Sequence, residues 1–234
     1  MEQYDSISYE DFKTIKYDNQ YPKKMMTRTA LNLEDLMHLN PADYPEISDA
    51  ITLLNTWDRK TDKTNKTAAL YILTWMHLNQ KRIDEGREVR RGSITLEDCV
   101  FGITKAKEEL LKNYGSLQIE LGELQRHTRG NVNLPIGGAP DVLAAIYAKK
   151  VNETDKTYRA FAGESHIELI RFGENGVELE TINSYGSNAN IGDEHSTSQM
   201  EDFTNYKLKK MTLNKEEVLK NAVKIYSPME VVED

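Results

Sequence analysis

The side chains able to do chemistry are few and widely spaced along these 234 residues. Gly163-Glu-Ser165 begins like a nucleophile elbow, the sharp strand-to-helix turn that exposes a serine hydroxyl. The closing glycine is missing, since Ile167 stands there, and a strand rather than a helix is expected to come next. His38, His77, His127, His166 and His195 are never within five residues of one another. Local metal-ligand spacing is therefore absent, and neither a metal nor another cofactor is expected. Asp193-Glu194-His195 could be an acid–base cluster, or simply a solvated loop. Arg126, His127 and Arg129 could bind a carboxylate product, or pair with acidic residues of the same protein. The lone Cys99 excludes an internal disulfide and a cysteine-based metal site. On a helical pattern between Asp98 and Val100, it reads as a small buried apolar residue rather than a nucleophile. Trp57, Trp75 and Met76 read as core packing rather than a ligand cage.

The elements that must carry these residues divide the chain in two. Residues 1–120 read as mainly helical and 121–234 as Gly/Pro turns, hairpin strands and a last helix. Ser8-x-x-Asp11 and Thr95-x-x-Asp98 are helix-capping patterns. Leu31, Leu33, Leu36 and Leu39 come close to helical spacing before Pro41, and Asp49 to Trp57 continues the theme. Ala68, Ile72, Trp75, Met76 and Leu78 form a stripe at i, i+4, i+7 and i+8, and Phe101, Ile103 and Leu110 mark the buried side of the next helix. Between Gly122 and Pro140 the glycines and prolines are too dense for a helix and predict a series of backbone turns. Ala144–Lys149, His166–Phe172 and Val177–Ile182 read as strands, the last two joined at Asn175-Gly176, a pair that tolerates positive φ. Asn214 with Glu217 starts the last helix, and Ser227-Pro228 halts the chain segment beyond it. Three or four strands make a narrow sheet with unpaired edges and a bare face, which suggests that further strands lie outside this chain.

Composition limits the partners. Hydrophobic residues at 38% suffice for a core, and a net charge of −8 argues against nucleic acid or an anionic membrane surface. There is no apolar run near the ~18 residues of a membrane span, and Met1-Glu-Gln-Tyr-Asp5 does not resemble a signal peptide.

Seven short motifs run in order: Leu121-Gly122-Glu123-x-x-Arg126, Arg129-Gly130, Gly137-Gly138-Ala139-Pro140, Gly163-Glu164-Ser165, Phe172-Gly173, Tyr185-Gly186-Ser187-Asn188 and His195-Ser196-x-x-Gln199. Their order and spacing resemble the C-terminal part of the β-chain of the penicillin acylase family, and Ser8-Tyr-Glu-Asp-Phe with Tyr17-Asp18 looks like the helix after that family's catalytic core. Leu121, Glu123, Ser187 and Ser196 depart from the family's Trp, Asp, Gln and Tyr, as in a distant member.

The resemblance implies an α+β chain, the C-terminal segment of the four-layer αββα fold of N-terminal-nucleophile hydrolases. In such enzymes self-cleavage exposes a Ser, Thr or Cys whose own α-amine serves as general base, and the nucleophile forms an acyl-enzyme with a linear amide. The family's nucleophile and oxyanion asparagine precede the matched region, so no residue here is assigned a catalytic role and the substrate-binding residues are unknown. The implied partners are the upstream part of the same precursor (the α-chain and the N-terminal half of the β-chain) and a small-molecule amide. The implied location of the parent is periplasmic or secreted. Gly186-Ser187-Asn188 imitates the family's cleavage point, but no Trp follows and the stretch from Ser187 to Asp234 is too short to build the donors a real nucleophile needs. Ser187 is read as a structural turn, with Gly186 supplying unusual backbone angles. The rival readings are a self-contained, non-enzymatic α+β binding module and a hydrolase acting through Ser187.

Overall fold

The computed structural model describes residues 6–22, 37–88, 94–174, 176–225 and 227. Leu31, Leu33, Leu36, Asn175 and Pro228 lie outside the described residues. Helix α1 (Tyr9–Lys16) starts where the Ser8 hydroxyl accepts the Asp11 N–H at 3.1 Å. Helix α2 (Ser48–Thr56) leads to Trp57, and Asn65 then caps α3 (Ala68–Asp84) from outside the helix. Its Oδ1 accepts the N–H groups of Thr67 and Ala68 at 3.0 and 2.9 Å and the Trp57 indole N–H at 3.2 Å. Helix α4 (Leu96–Tyr114) opens with a full capping box between Thr95 and Asp98. It ends at Gly115, whose φ of 71° is the left-handed conformation a glycine adopts without strain.

Helices α3 and α4 cross at Gly102, where a Cβ would sit 2.6 Å from the Thr74 carbonyl oxygen. The missing side chain lets the backbones touch, so Ala68 to Thr74 are all buried, including residues outside the expected stripe. That stripe understated α3, because the helix is enclosed on several sides. Trp75 and Met76 are only partly buried, as is Phe101, whereas Cys99, Ile103, Ala106 and Leu110 form the true inner face of α4. Trp57, Tyr21 and Tyr71 pack edge-on or tilted within the same core, with ring centroids 4.6–6.1 Å apart.

Seven strands are present among the described residues, not three or four. After one turn of helix (α5, Leu121–Leu124) the Gly/Pro region forms a hairpin of β1 (Gln125–Arg129) and β2 (Val132–Pro135) instead of successive turns. Gln-Arg-His-Thr-Arg lacks apolar alternation, which hid β1. With β3 (Ile146–Lys149) and β4 (Tyr158–Gly163) these strands make a sheet of order β2-β1-β4-β3. The β1/β4 pairing is parallel and covers only Gln125↔Tyr158 and Arg126↔Arg159. The second sheet, β5-β6-β7, holds the expected hairpin of β5 (His166–Gly173) and β6 (Gly176–Asn183), plus β7 (Lys209–Met211), too short to be seen in the sequence. A smaller core of Ile136, Ile146, Ile167, Leu169, Ile182 and Phe203 joins the two sheets. Phe203 comes from helix α6 (Met200–Thr204). The last helix, α7 (Lys215–Asn221), is capped by Asn214 as expected and ends at extended Ala222.

Candidate functional site

Most of the candidates converge where the sheets meet. His127 projects from β1 into a buried seam and is only 3% exposed. Its Nε2 lies 2.5 Å from the Ser184 carbonyl oxygen, so Nε2 carries the proton, since a carbonyl can only accept. The ring stacks on Tyr185, with centroids 4.7 Å apart and planes at 20°, and leans on Phe203 at 5.5 Å. Nδ1 is buried without a hydrogen-bond partner among the described residues. Burial lowers the His127 pKa from its ordinary 6.5, against the bond to Ser184 and with help from the Arg159 charge, so the imidazole is held neutral. Two residues on, the Arg129 guanidinium covers the Tyr185 ring at 4.9 Å and donates to the Ala189 carbonyl at 2.8 Å.

This stack fixes the turn that contains Ser187. The Ser187 N–H donates to the His195 carbonyl at 3.0 Å, the Gln199 N–H to the Tyr185 carbonyl at 2.9 Å, and the Asn183 N–H to the Gln199 Oε1 at 3.1 Å. Gly186 is required here for space: a Cβ would collide with the His195 carbonyl and come 2.7 Å from the Ser196 carbonyl carbon. Its φ is not positive, so the expected unusual angles are replaced by close approach. Ser187 is exposed, and among the described residues no histidine or carboxylate bonds its hydroxyl.

The other candidates resolve into structural roles. Gly163-Glu164-Ser165 connects β4 to β5, where Gly163 (φ 126°) lies against Ala145, Glu164 pairs with Lys16, and the Ser165 carbonyl accepts the Ser184 N–H. Asp193 caps a single turn, and His195 and Glu194 are largely exposed, 3.7 Å apart: a solvated loop. Arg126 donates to the Gly122 and Asn133 carbonyls and the Asn133 side chain, all at 2.7–2.8 Å. Among the described residues the hydrogen-bond partners of Arg126, His127 and Arg129 are neutral carbonyls and an amide rather than acidic groups. No group of three or more His, Cys, Asp or Glu suited to a metal ion occurs among the described residues, and no helix there is long and apolar enough to cross a membrane.

One constellation escaped the sequence. Glu109 of α4 meets His77 of α3 at 2.9 Å, Lys150 at 2.7 Å and the Tyr158 hydroxyl of β4 at 3.0 Å. Burial pushes this carboxyl up, but the bonds from His77, Lys150 and Tyr158 and the Lys150 charge outweigh it and hold the pKa at about 2. Its four members are spread from residue 77 to 158, so no local signal announces them. The arrangement ties helices to sheet.

No curated protein matches the chain. Among solved structures it is similar to a thermostable penicillin G acylase from Alcaligenes faecalis, in an orthorhombic crystal form, at 12% identity and a TM-score of 0.46. That alignment covers 100% of this chain and 51% of the acylase chain, so the chain spans about half the acylase's length. The family model for penicillin amidase matches residues 1–220. The seven ordered motifs and this match lead to one conclusion: the chain belongs to the penicillin amidase family.

Proposed function

We propose that this chain is the C-terminal part of the β-chain of a penicillin acylase-like amidohydrolase, and that it is inactive alone. In this reading the parent hydrolyses a linear amide through an acyl-enzyme formed on an N-terminal Ser, Thr or Cys outside this chain. Residues 1–120 contribute outer helices, and residues 121–234 contribute closing strands to a four-layer αββα fold. The partner is the upstream part of the same precursor, the substrate a small-molecule amide, and the parent a periplasmic or secreted protein.

The observation that carries the reading is the pairing of a family match over residues 1–220 with a Ser187 whose hydroxyl meets no base among the described residues. An acyl-transfer nucleophile needs a general base within hydrogen-bond reach and donors aimed at the developing oxyanion. Ser187 instead sits on an exposed turn with its backbone N–H committed to the His195 carbonyl. The strand order supports the same reading, since among the described residues β2, β3, β5 and β7 are each paired on one side only. The large helical core is a separate matter: it favours folding of the chain by itself, as the α+β module reading requires, without supplying chemistry.

Co-expression with the upstream reading frame tests the proposal. It predicts a Ser, Thr or Cys followed by Asn and a nearby Trp in that frame, and amidase activity in the co-purified complex. A complex that forms yet stays inactive on a panel of chromogenic amides would count against it.

A further inference from the structure

We propose that the outer face of the second sheet is a self-association surface, on which a second copy of this chain packs about a two-fold axis running along the strands. The inner face is occupied, with Ile167, Leu169 and Ile182 buried among Tyr9 and Phe203. The outer face is set by the register. Phe172 opposes Val177, Ile170 opposes Leu179 and Met211, and Glu168 opposes Thr181 and Lys209, rung by rung.

Two adjacent rungs are thus wholly apolar, and around the half-buried Leu179 their side chains open to water: Phe172 is 80% exposed, Ile170 47%, Met211 45% and Val177 43%. A grouped apolar face of this kind favours a cover. The third rung selects the cover. Glu168 lies on one edge strand and Lys209 on the other, at the same height. A two-fold axis along the strands lays β5 of one copy over β7 of the other without changing the height. Glu168 then meets the second copy's Lys209, and the reciprocal pair forms by symmetry. Leu179 faces Leu179, and Ile170 faces Met211. An axis across the strands would instead lay β5 on β5 and leave both charges unmatched. Within one copy, Glu168 pairs with the half-exposed His166 at 3.5 Å.

Two eight-residue strands and the three-residue β7, about 4.8 Å apart, offer about 300 Å² per copy, well under half the ~800 Å² of a standard interface. The dimer is therefore weak and concentration-dependent.

Sedimentation velocity on the whole chain, from ~10 µM to ~1 mM at low salt, tests this, with circular dichroism confirming that each variant is folded. The wild type moves from monomer toward dimer across that range. Glu168→Lys and Lys209→Glu each weaken dimerisation about tenfold or more, and the double reversal restores it to within about threefold. Phe172→Glu leaves a folded monomer. A wild type that stays monomeric throughout overturns the proposal, including one shielded only when an upstream polypeptide is added. So does a dimer indifferent to these substitutions, or a double reversal that fails to restore it.

Discussion

Replacing Glu109 with Gln removes the charge at the junction of helices and sheet while keeping its shape. The carboxylate side chain is only 11% exposed and faces Lys150 at 2.7 Å, His77 at 2.9 Å and the Tyr158 hydroxyl at 3.0 Å. Its folded pKa of about 2 lies below the ordinary 4.5, so its stabilisation is complete above pH 4.5 and is lost as the pH falls toward 2. Lowering the pKa by that much corresponds to about 3 kcal/mol. Partial solvation of Lys150 and His77 trims the loss on substitution to about 2–3 kcal/mol at pH 7, or a fall in Tm of about 5–10 °C for a chain of this size. Urea unfolding of wild type and variant at pH 7, 4.5, 3 and 2 reads the difference directly. The gap should be full at pH 7, begin to close below pH 4.5, and drop under about 1 kcal/mol near pH 2. Acid lability of other carboxylates, such as Asp98 beneath Arg87 and Lys81, is common to both proteins and cancels. A gap that persists unchanged to pH 2 would refute the electrostatic account and leave a packing defect in its place.

The seam and its turn give further expected outcomes. Gly186→Ala forces a Cβ into the His195 carbonyl and should cost about 2–4 kcal/mol in urea unfolding, whereas Ser187→Ala on the exposed neighbour should stay within about 0.5 kcal/mol. His127→Phe keeps the stack on Tyr185 but leaves the Ser184 carbonyl unpaired, a loss of about 1–3 kcal/mol at pH 7. Because burial lowers the folded pKa of His127, wild-type stability should decline as the pH falls below about 6.5, and His127→Phe should lack that component; imidazole ¹⁵N shifts should report an Nε2–H tautomer at pH 7. Gly102→Ala should separate α3 from α4 and lower Tm by several degrees, about 1–3 kcal/mol of overpacking.

Local chemistry was legible in the sequence wherever a few neighbouring residues determine it. Ser8 and Thr95 cap their helices because the bond from hydroxyl to N–H spans three residues, and the β5/β6 hairpin arises from alternation on both sides of one turn. The misread features depend on distant partners. β1 is polar and becomes a strand because Val132–Pro135 folds back on it and Tyr158 joins it from across the chain. The role of Gly186 is set by His195 nine residues later, through space rather than through φ. The carbonyl partners of Arg126 and Arg129 were equally invisible, because a sequence records charge but not the carbonyls that an arginine fork can reach. The Glu109 junction had no signal at all, since its members share neither a helix turn nor a hairpin.

Steady-state hydrolysis of chromogenic amides by the purified chain alone, at high enzyme concentration and with Ser187→Ala in parallel, tests the proposed function most directly. A chain that closes another polypeptide's sheet gives no turnover above buffer in either protein. Turnover by the isolated wild type that disappears in Ser187→Ala would contradict it.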